Sequence, residues 1–238
     1  MAPRPETTDR PGVVLHNEDV APPALLGEWL REREIPHRTV RTWENGMPND
    51  PREFGWVAAL GSSNSATQTE PAWVPHEVAF LRRAVDAEVP VLGICFGGQA
   101  LAVALGGRIS PANPTSIGCF EIETDEPDLV PNGPWVHFNY EVFSVPDGAT
   151  QIAHSPRGPS AFRLGPHLGV QFHPEATREI FEDWADDEAA KLDELGVDRV
   201  NLRAQGERFA PVAAREAFEL FDAWRLLTAA RAAERGGA

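Results

Sequence analysis

The chain has 238 residues and a formal net charge of −15, from 36 acidic against 21 basic residues. A surface this acidic repels phosphate groups, which argues against nucleic acid or an anionic membrane as the main partner. Two cysteines are too few for a disulfide scaffold, whereas 42% apolar residues are enough to build the core of one large α/β domain.

Residues 1–11 are predicted to be a disordered leader, because they are rich in proline and carry charges of alternating sign. They lack the apolar segment of a secretory signal, and no run in the chain approaches the ~20 apolar residues of a membrane helix. We therefore expect a cytoplasmic protein with no membrane partner, whose folded domain occupies residues 12–238.

Strands and helices alternate in the first half of the chain. Short apolar runs predict strands, and amphipathic patterns between them predict helices. The predicted strands are 13–15, 37–42, 56–60 and 91–94, and the predicted helices are 23–33, 75–86 and 96–105. The last of these strands is an unbroken apolar run, which is typical of the centre of a parallel sheet.

After Gly107 the pattern changes to short β-like segments separated by proline and glycine turns. These segments are 118–123, 136–138, 151–153, 161–164 and 169–172, and two helices follow at 178–195 and 211–233. We interpret the segments as an antiparallel extension that leads into a last core strand. The whole order predicts an α/β fold, a doubly wound and mostly parallel sheet flanked by helices.

The strongest functional signal is Gly93-Ile94-Cys95-Phe96-Gly97, at the junction of the apolar strand and the next helix. Glycines two residues either side of Cys95 permit a sharp turn that exposes a strained nucleophile, as in a nucleophile elbow. The N-terminus of the helix stabilises a thiolate, and the turn directs the Phe96 amide toward a developing oxyanion. Cys95 is therefore predicted to be a catalytic nucleophile.

A thiolate nucleophile needs a general base, and the base needs a group that orients it. His173 and Glu175 follow the last apolar strand, at the edge of the sheet where α/β folds bind ligands. Pro174 between them ends the strand and can turn Glu175 back toward the His173 ring. We predict a catalytic triad of Cys95, His173 and Glu175.

Two motifs together carry a family resemblance. The run Pro90-Val91-Leu92-Gly93-Ile94-Cys95-Phe96-Gly97-Gly98-Gln99, followed by Gly169-Val170-Gln171-Phe172-His173-Pro174-Glu175, resembles class I glutamine amidotransferases. The chain is most similar to stand-alone proteins that resemble the glutaminase domain of GMP synthetase. The resemblance implies a flavodoxin-like sheet and attack of cysteine on the γ-amide of glutamine. It also implies a γ-glutamyl thioester, release of ammonia and hydrolysis to glutamate, without a cofactor.

The same resemblance implies further site residues. Gly61-Ser62-Ser63 takes the place of the family's Gly-Gly-Pro turn, so the Ser62 amide would join the Phe96 amide in the oxyanion hole. Gln99 takes the place of the elbow-helix glutamine that contacts the substrate.

A further segment, His137-Phe138-Asn139-Tyr140-Glu141, matches one that usually reads close to His-Trp-His-Gly-Asp and holds the amino-acid end of the substrate. The match implies that Asn139, Tyr140 and Glu141 contact the substrate. Because Asn139 and Tyr140 depart from the usual residues, as Ser62 and Ser63 do, the departures bear on the substrate more than on the mechanism.

These departures leave several functions open. One is a glutaminase subunit that passes ammonia to a separate synthetase, since the sequence contains no P-loop. Another is a hydrolase of γ-glutamyl amides whose leaving amine is larger than ammonia, which needs no partner. A non-catalytic binding protein on the same fold is disfavoured by the intact triad. The wider set of hydrolases with a cysteine elbow is disfavoured by the His-Pro-Glu motif.

Other conspicuous residues are given structural interpretations. Cys119 lies in a strand-like segment and is interpreted as a small buried hydrophobe. The remaining histidines show no metal-ligand spacing, so we expect no metal site. The acidic run 182–194 is interpreted as the solvated face of a helix.

Overall fold

A computed structural model of the chain describes residues 10–236, with side chains up to Ala229. Residues 1–9 of the predicted disordered leader lie outside the described residues. Ten strands are present in the described part: β1 (Gly12–His16), β2 (His37–Arg41), β3 (Val57–Ala59), β4 (Val91–Ile94), β5 (Ile109–Phe120), β6 (Glu123–Thr124), β7 (Trp135–Phe143), β8 (Thr150–Ser155), β9 (Gly158–Leu164) and β10 (His167–Val170).

Eight of these strands form one sheet, in the order β2-β1-β3-β4-β10-β9-β8-β6. The first five are parallel, and β9, β8 and β6 extend the sheet in antiparallel fashion. β5 and β7 pair separately as a two-stranded antiparallel sheet. The predicted fold class, a mostly parallel sheet with an antiparallel extension, is therefore confirmed.

Helices cover both faces of the main sheet. They are α1 (Ala24–Glu32), α2 (Thr42–Asn45), α3 (Trp73–Asp86), α4 (Phe96–Ala104), α5 (Arg178–Asp187), α6 (Ala189–Glu194) and α7 (Arg199–Gly236). Alternate residues of a strand point to opposite faces. Val13 and Leu15 of β1 accordingly join a core with α3 and α4, whereas Val14 joins a second core with α1, α5 and α7.

The predicted elements up to residue 105 are all present, with bounds within two residues of the prediction. In the second half, the predicted strand 118–123 is the end of the much longer β5, which already begins at Ile109. Pro111 and Pro114 hid its first part, because proline is uncommon in the interior of a sheet. The register shifts between Pro111 and Ser116, and the two-stranded sheet tolerates the missing donors there.

The C-terminal helices differ most from the prediction. The predicted helix 178–195 is interrupted at Glu188, which separates α5 from α6. α7 begins at Arg199, well before Pro211, which lies inside the helix. Oδ1 of Asp198 accepts the amides of Val200 and Asn201 at 3.0 and 3.1 Å and so caps the helix. No helix within the described range is long and apolar enough to cross a bilayer.

Candidate active site

The turn between β4 and α4 places Cys95 at the N-cap of the helix, with φ 52° and ψ −108°. A positive φ is strained for a residue with a side chain and is typical of a functional turn. Both flanking glycines are required by close packing. A Cβ at Gly93 would collide with the Gly97 carbonyl, and a Cβ at Gly97 would collide with the Ala59 carbonyl. The elbow geometry predicted from the sequence is thus present.

His173 and Glu175 lie close together after β10. Nδ1 of His173 donates to Oε1 of Glu175 at 2.8 Å, and both side chains are buried. The backbone holds the pair in place, because the His173 amide donates to the Val136 carbonyl at 2.8 Å and the Glu175 carbonyl accepts the Leu25 amide at 3.0 Å. The arrangement is that of a histidine oriented by a carboxylate.

The His173 ring faces Cys95. Burial alone would lower the pKa of His173, but the charges of Cys95 and Glu175, and hydrogen bonds to both, raise it to about 10. Gly61 makes room for the ring, since a Cβ there would lie 2.9 Å from Cε1 of His173. Trp184 of α5 packs on the ring at a centroid distance of 4.6 Å. This geometry favours the protonated form of the imidazole.

Asn139 also contacts Cys95. Its Nδ2 donates to Sγ of Cys95 at 3.2 Å and to the Gln171 carbonyl at 2.9 Å. The residue lies on β7 and is buried. The resemblance implied contact with the amino-acid end of a substrate, and the structure adds a contact to the sulfur. An N–H donor at this distance stabilises a thiolate.

The two residues predicted for the oxyanion hole come from different segments of the chain. Phe96 is the first residue of α4, so its amide has no acceptor within the helix. Ser62 follows β3 and lines the same cleft as Cys95.

Glu18 fixes the turn that contains Ser62. Its Oε1 accepts the hydroxyls of Ser62 and Ser63 at 2.8 and 2.7 Å, and Nδ2 of Asn64 at 3.0 Å. The serines that depart from the family's Gly-Pro therefore have a local structural role. Sequence reasoning missed Glu18, because nothing in its own segment indicates contact with a turn more than forty residues away.

A cleft of about 460 Å³ opens above Cys95. Phe96 and Glu175 are the only predicted site residues that do not line this cleft. The seven that line it are Ser62, Cys95, Gln99, Asn139, Tyr140, Glu141 and His173. Nε2 of Gln99 donates to the Glu141 carbonyl at 3.1 Å, which ties the elbow helix to β7. The motif's His137 instead stacks on Phe120 at 3.9 Å in the interior.

The outer wall of the cleft comes from α5 and α6. The Tyr140 hydroxyl donates to Oε2 of Glu188 at 3.2 Å, and Nζ of Lys191 lies 3.4 Å from the centre of the Tyr140 ring. Trp184 and Asp187 complete this wall. Sequence reasoning did not identify Trp184, Asp187, Glu188 and Lys191 as site residues, because the acidic run was interpreted only as the solvated face of a helix.

The second cysteine is far less suited to nucleophilic chemistry. Cys119 is half-buried on β5, opposite Val136. Burial raises the pKa of its thiol to about 12, against a small opposing effect of Arg208. Cys119 does not line the cleft that contains Cys95. This position agrees with the interpretation of Cys119 as a packing residue.

Comparisons with known proteins agree with the site. A family model described as glutamine amidotransferase class-I matches residues 63–184. A GMP synthase [glutamine-hydrolyzing] of Helicobacter pylori (strain ATCC 700392 / 26695) is 29% identical over 161 residues, which make up 65% of this chain and 30% of that protein. The chain thus spans less than a third of the length of this curated relative.

Solved structures give the same fold. A glutamine amido transferase from Methylobacillus flagellatus superposes with a TM-score of 0.83 at 24% identity, over 92% of this chain and 96% of that one. A glutamine amidotransferase from Thermotoga maritima superposes with a TM-score of 0.80 at 20% identity, over 91% of this chain and 98% of that one. The family resemblance drawn from the two sequence motifs is confirmed.

Proposed function

The chain belongs to the class I glutamine amidotransferase family, and from this membership we propose that it hydrolyses the γ-amide bond of glutamine or of another γ-glutamyl amide. The observation that carries the proposal is the position of Cys95, at positive φ on the elbow and facing a His173 ring that Glu175 orients at 2.8 Å. A cysteine, a base and an orienting carboxylate in this arrangement make up a nucleophilic triad.

The proposed reaction has two halves. Sγ of Cys95 attacks the γ-carbonyl carbon, and the amides of Ser62 and Phe96 stabilise the negative charge on the carbonyl oxygen. His173 then donates its proton to the leaving nitrogen, which departs as ammonia or an amine and leaves a γ-glutamyl thioester. In the second half, neutral His173 takes a proton from water as the water attacks the thioester. Glutamate leaves, and the thiolate–imidazolium pair is restored.

Gln99, Asn139, Tyr140 and Glu141 are proposed to bind the glutamyl half of the substrate. All four side chains line the cleft, and the Glu141 carboxylate is suited to pair with an α-ammonium group. Nε2 of Gln99 is already bonded to the Glu141 carbonyl, which leaves its Oε1 to accept a hydrogen bond from substrate. Asn139 would hold the sulfur and the bound substrate in one network.

Two features favour a γ-glutamyl amide with a leaving amine larger than ammonia. The cleft volume of about 460 Å³ falls in the range of sites for drug-sized ligands, well beyond a single amino acid. Its lining also includes apolar surface beside His173, formed by Val20, Ala21 and Trp184, and Val20 is 51% exposed. An apolar surface beside the proton donor would contact the carbon chain of a leaving amine.

The test is mass spectrometry of the intact protein after mixing with glutamine and with a panel of γ-glutamyl amides. We expect an acyl adduct of about 129 Da, as calculated for a γ-glutamyl thioester. Cys95→Ala should lose both the adduct and turnover, whereas the matched variant Cys119→Ala should keep both. An adduct that survives in Cys95→Ala and disappears in Cys119→Ala would overturn the assignment.

Steady-state kinetics on the same preparation rank the substrates. We expect a higher kcat/KM for a γ-glutamyl alkylamide than for glutamine, because the apolar wall gains contact only with the larger amine. Faster hydrolysis of glutamine would contradict this preference while leaving the thioester mechanism intact.

The second candidate is a glutaminase subunit that passes ammonia to a separate synthetase. It is favoured by the match to GMP synthases, of which this chain spans only 20–30%. Under this function the chain hydrolyses glutamine in preference to larger amides, and a second protein stimulates it. Glutamine turnover that appears only when such a protein is added would establish this function in place of the first.

A further inference from the structure

A buried carboxyl group lies behind the proposed oxyanion hole. Glu77 sits on α3 among the buried side chains of Val74, Phe80 and Leu81, and it is 0% exposed. Acidic residues are almost never fully buried without a partner. The structure describes no cation within salt-bridge distance of Glu77, and its recorded hydrogen bond is accepted by Oε1 from Nδ2 of Asn17 at 3.1 Å. The surroundings of Glu77 must therefore account for a fully buried carboxyl group with no cationic partner.

Asn17 links Glu77 to the rest of the site. The second proton of Nδ2 goes to the Leu60 carbonyl at 3.1 Å, and Oδ1 accepts the Thr42 hydroxyl at 2.9 Å. Asn17 and Thr42 are each 1% exposed. Every polar atom of the Asn17 side chain is therefore engaged, and its orientation is fixed from three sides.

The Leu60 carbonyl joins the two segments that carry the proposed oxyanion donors. Besides Asn17, it accepts the Gly97 amide at 3.2 Å. Gly97 directly follows Phe96 in the first turn of α4, and Leu60 stands two residues before Ser62. The Leu60 amide donates in turn to the Leu15 carbonyl at 3.1 Å, which anchors the turn to β1.

We propose that Glu77 is a positioning residue which, through Asn17 and the Leu60 carbonyl, sets the distance between the Ser62 and Phe96 amides. The inference rests on the proposed function, because it assigns these amides to the oxyanion hole. Glu77 touches no reacting atom. Its carboxyl fixes the Asn17 amide, and the Asn17 amide holds the carbonyl to which the elbow helix is bonded. Donors of an oxyanion hole act through accurate placement, so a small shift lowers the rate.

The neutral form of the carboxyl is the one that fits the apolar surroundings of Glu77. Burial raises the pKa of Glu77 to about 8, against the opposing hydrogen bond from Asn17. Nearby groups do not supply a compensating charge. His16 at the end of β1 is held neutral because burial lowers its pKa, and α4 and β4 carry no charged residue. The other titratable and charged residues of α3 itself and of the adjoining 3₁₀ turn are exposed, namely His76, Arg82, Arg83, Asp86, Arg52 and Glu53.

The direction of the pH effect follows. Below about pH 8 the carboxyl is neutral and the network is intact. As the pH rises past that value, an unpaired carboxylate forms in the core, and the structure around Asn17 must rearrange to solvate it. The wild type should therefore lose activity at alkaline pH for a reason that is independent of His173.

Two substitutions of Glu77 separate the loss of the hydrogen bond to Asn17 from the ionisation of the carboxyl. For each variant, kcat and KM are measured from pH 6 to 9.5 on the γ-glutamyl amide that is hydrolysed fastest. Glu77→Leu should lower kcat by roughly tenfold with KM nearly unchanged, as expected for a transition-state interaction. Glu77→Gln keeps an acceptor for Asn17 and cannot ionise. It should restore most of the lost kcat and retain it above pH 8, where the wild type declines. Asp86→Asn, on the exposed side of α3, is the control and should match the wild type.

Some outcomes would overturn the proposal. One is a Glu77→Leu variant that only melts at a lower temperature while keeping its kcat. Another is a fall of kcat above pH 8 that is the same in the wild type and in Glu77→Gln. If Glu77→Leu does not fold, this comparison of the two pH profiles is sufficient to test the proposal. A wild type with no turnover and no adduct would instead count against the proposed function. In that case amide hydrogen exchange of segments 60–64 and 96–98 tests the positioning role of Glu77. The proposal requires faster exchange in Glu77→Leu than in Glu77→Gln.

Discussion

The sulfur of Cys95 is held by two neighbours of different chemistry. His173 supplies a proton and a positive charge, whereas Asn139 supplies a neutral N–H at 3.2 Å. A neutral donor stabilises the thiolate without adding a titrating group, so it acts equally at every pH. Of these two neighbours, only His173 therefore makes the reactivity of this sulfur depend on pH.

His173 and Glu175 should differ in their effect on rate. His173→Ala removes the group that moves protons and should lower kcat by roughly 10²–10⁴-fold. Glu175→Gln keeps the ring in place but removes the charge that favours its cation, so it should cost less. Steady-state kinetics measure both variants, with Glu194→Gln, an exposed acid of α6, as the matched control. Full activity in Glu175→Gln would reduce the triad to a dyad of Cys95 and His173.

The same pair has a defined effect on stability against pH. The pKa of His173 in the folded chain, about 10, lies above its ordinary value of 6.5. The charged pair therefore stabilises the fold fully below pH 6.5, and this contribution is lost as the pH rises toward 10. In Glu175→Gln, alkylation of Cys95 by iodoacetamide should become slower at neutral pH, because the imidazolium partner of the thiolate is lost at a lower pH.

At the scale of elements, the cap of α7 is the feature that the sequence pattern concealed. Asp198→Ala should destabilise the fold by about 1 kcal/mol, because two amides of the first turn lose their acceptor. Asp198→Asn keeps a side-chain oxygen at the same place and should cost much less. Urea unfolding measures both. Equal loss in the two variants would show that the charge of Asp198 matters and the hydrogen bonds do not.

The elements that could be predicted share a physical property. β4 is an unbroken apolar run and α4 follows it directly, so the apolar pattern and the glycines around Cys95 together located the elbow. The sequence pattern predicts that the last helix begins at Pro211. The structure continues the helix through it, since Phe209 and Ala213 are buried against the core on either side. Tertiary packing there outweighs the preference of proline for the start of a helix. The sequence around Pro211 gives no sign of this packing.

In the site, too, the residues that lie in continuous motifs could be predicted and those from distant elements could not. The proposed triad lies in two continuous motifs, and its members are brought together by adjacent parallel strands, β4 and β10. Glu18, Lys191 and Glu77 act across long separations in sequence, and nothing in their own segments marks them. Side chains that complete a site from distant elements become visible only when the fold is known.

At the scale of the whole molecule, the negative charge of the chain extends to the rim of the cleft. Glu18, Glu141, Asp187 and Glu188 line it against two cationic side chains among the described lining residues, Lys191 and the protonated His173. Among γ-glutamyl amides of equal length, we expect kcat/KM to fall in the order cationic, neutral and anionic tail. The span should be roughly tenfold at low salt and should shrink as salt is added.

Charge variants test the source of that order. Asp187→Asn should narrow the gap between cationic and anionic tails, and Lys191→Met should widen it. Arg82→Gln, on the exposed surface of α3, is the control for a change of charge away from the cleft. A preference for the anionic tail would show that Lys191 dominates binding and that the carboxylates do not set the selectivity.

The wall formed by α5 and α6 has a consequence for how such a protein can diversify. Trp184, Asp187, Glu188 and Lys191 all belong to one continuous stretch, whereas Cys95, His173 and the oxyanion turn are carried by the sheet. The residues proposed to break the bond and the wall proposed to contact the departing group are therefore carried by separate segments of the chain. Recombination that exchanges the stretch 178–194 between homologues should change which leaving group is preferred, and it should keep the reaction as long as the residue at 184 still packs on His173.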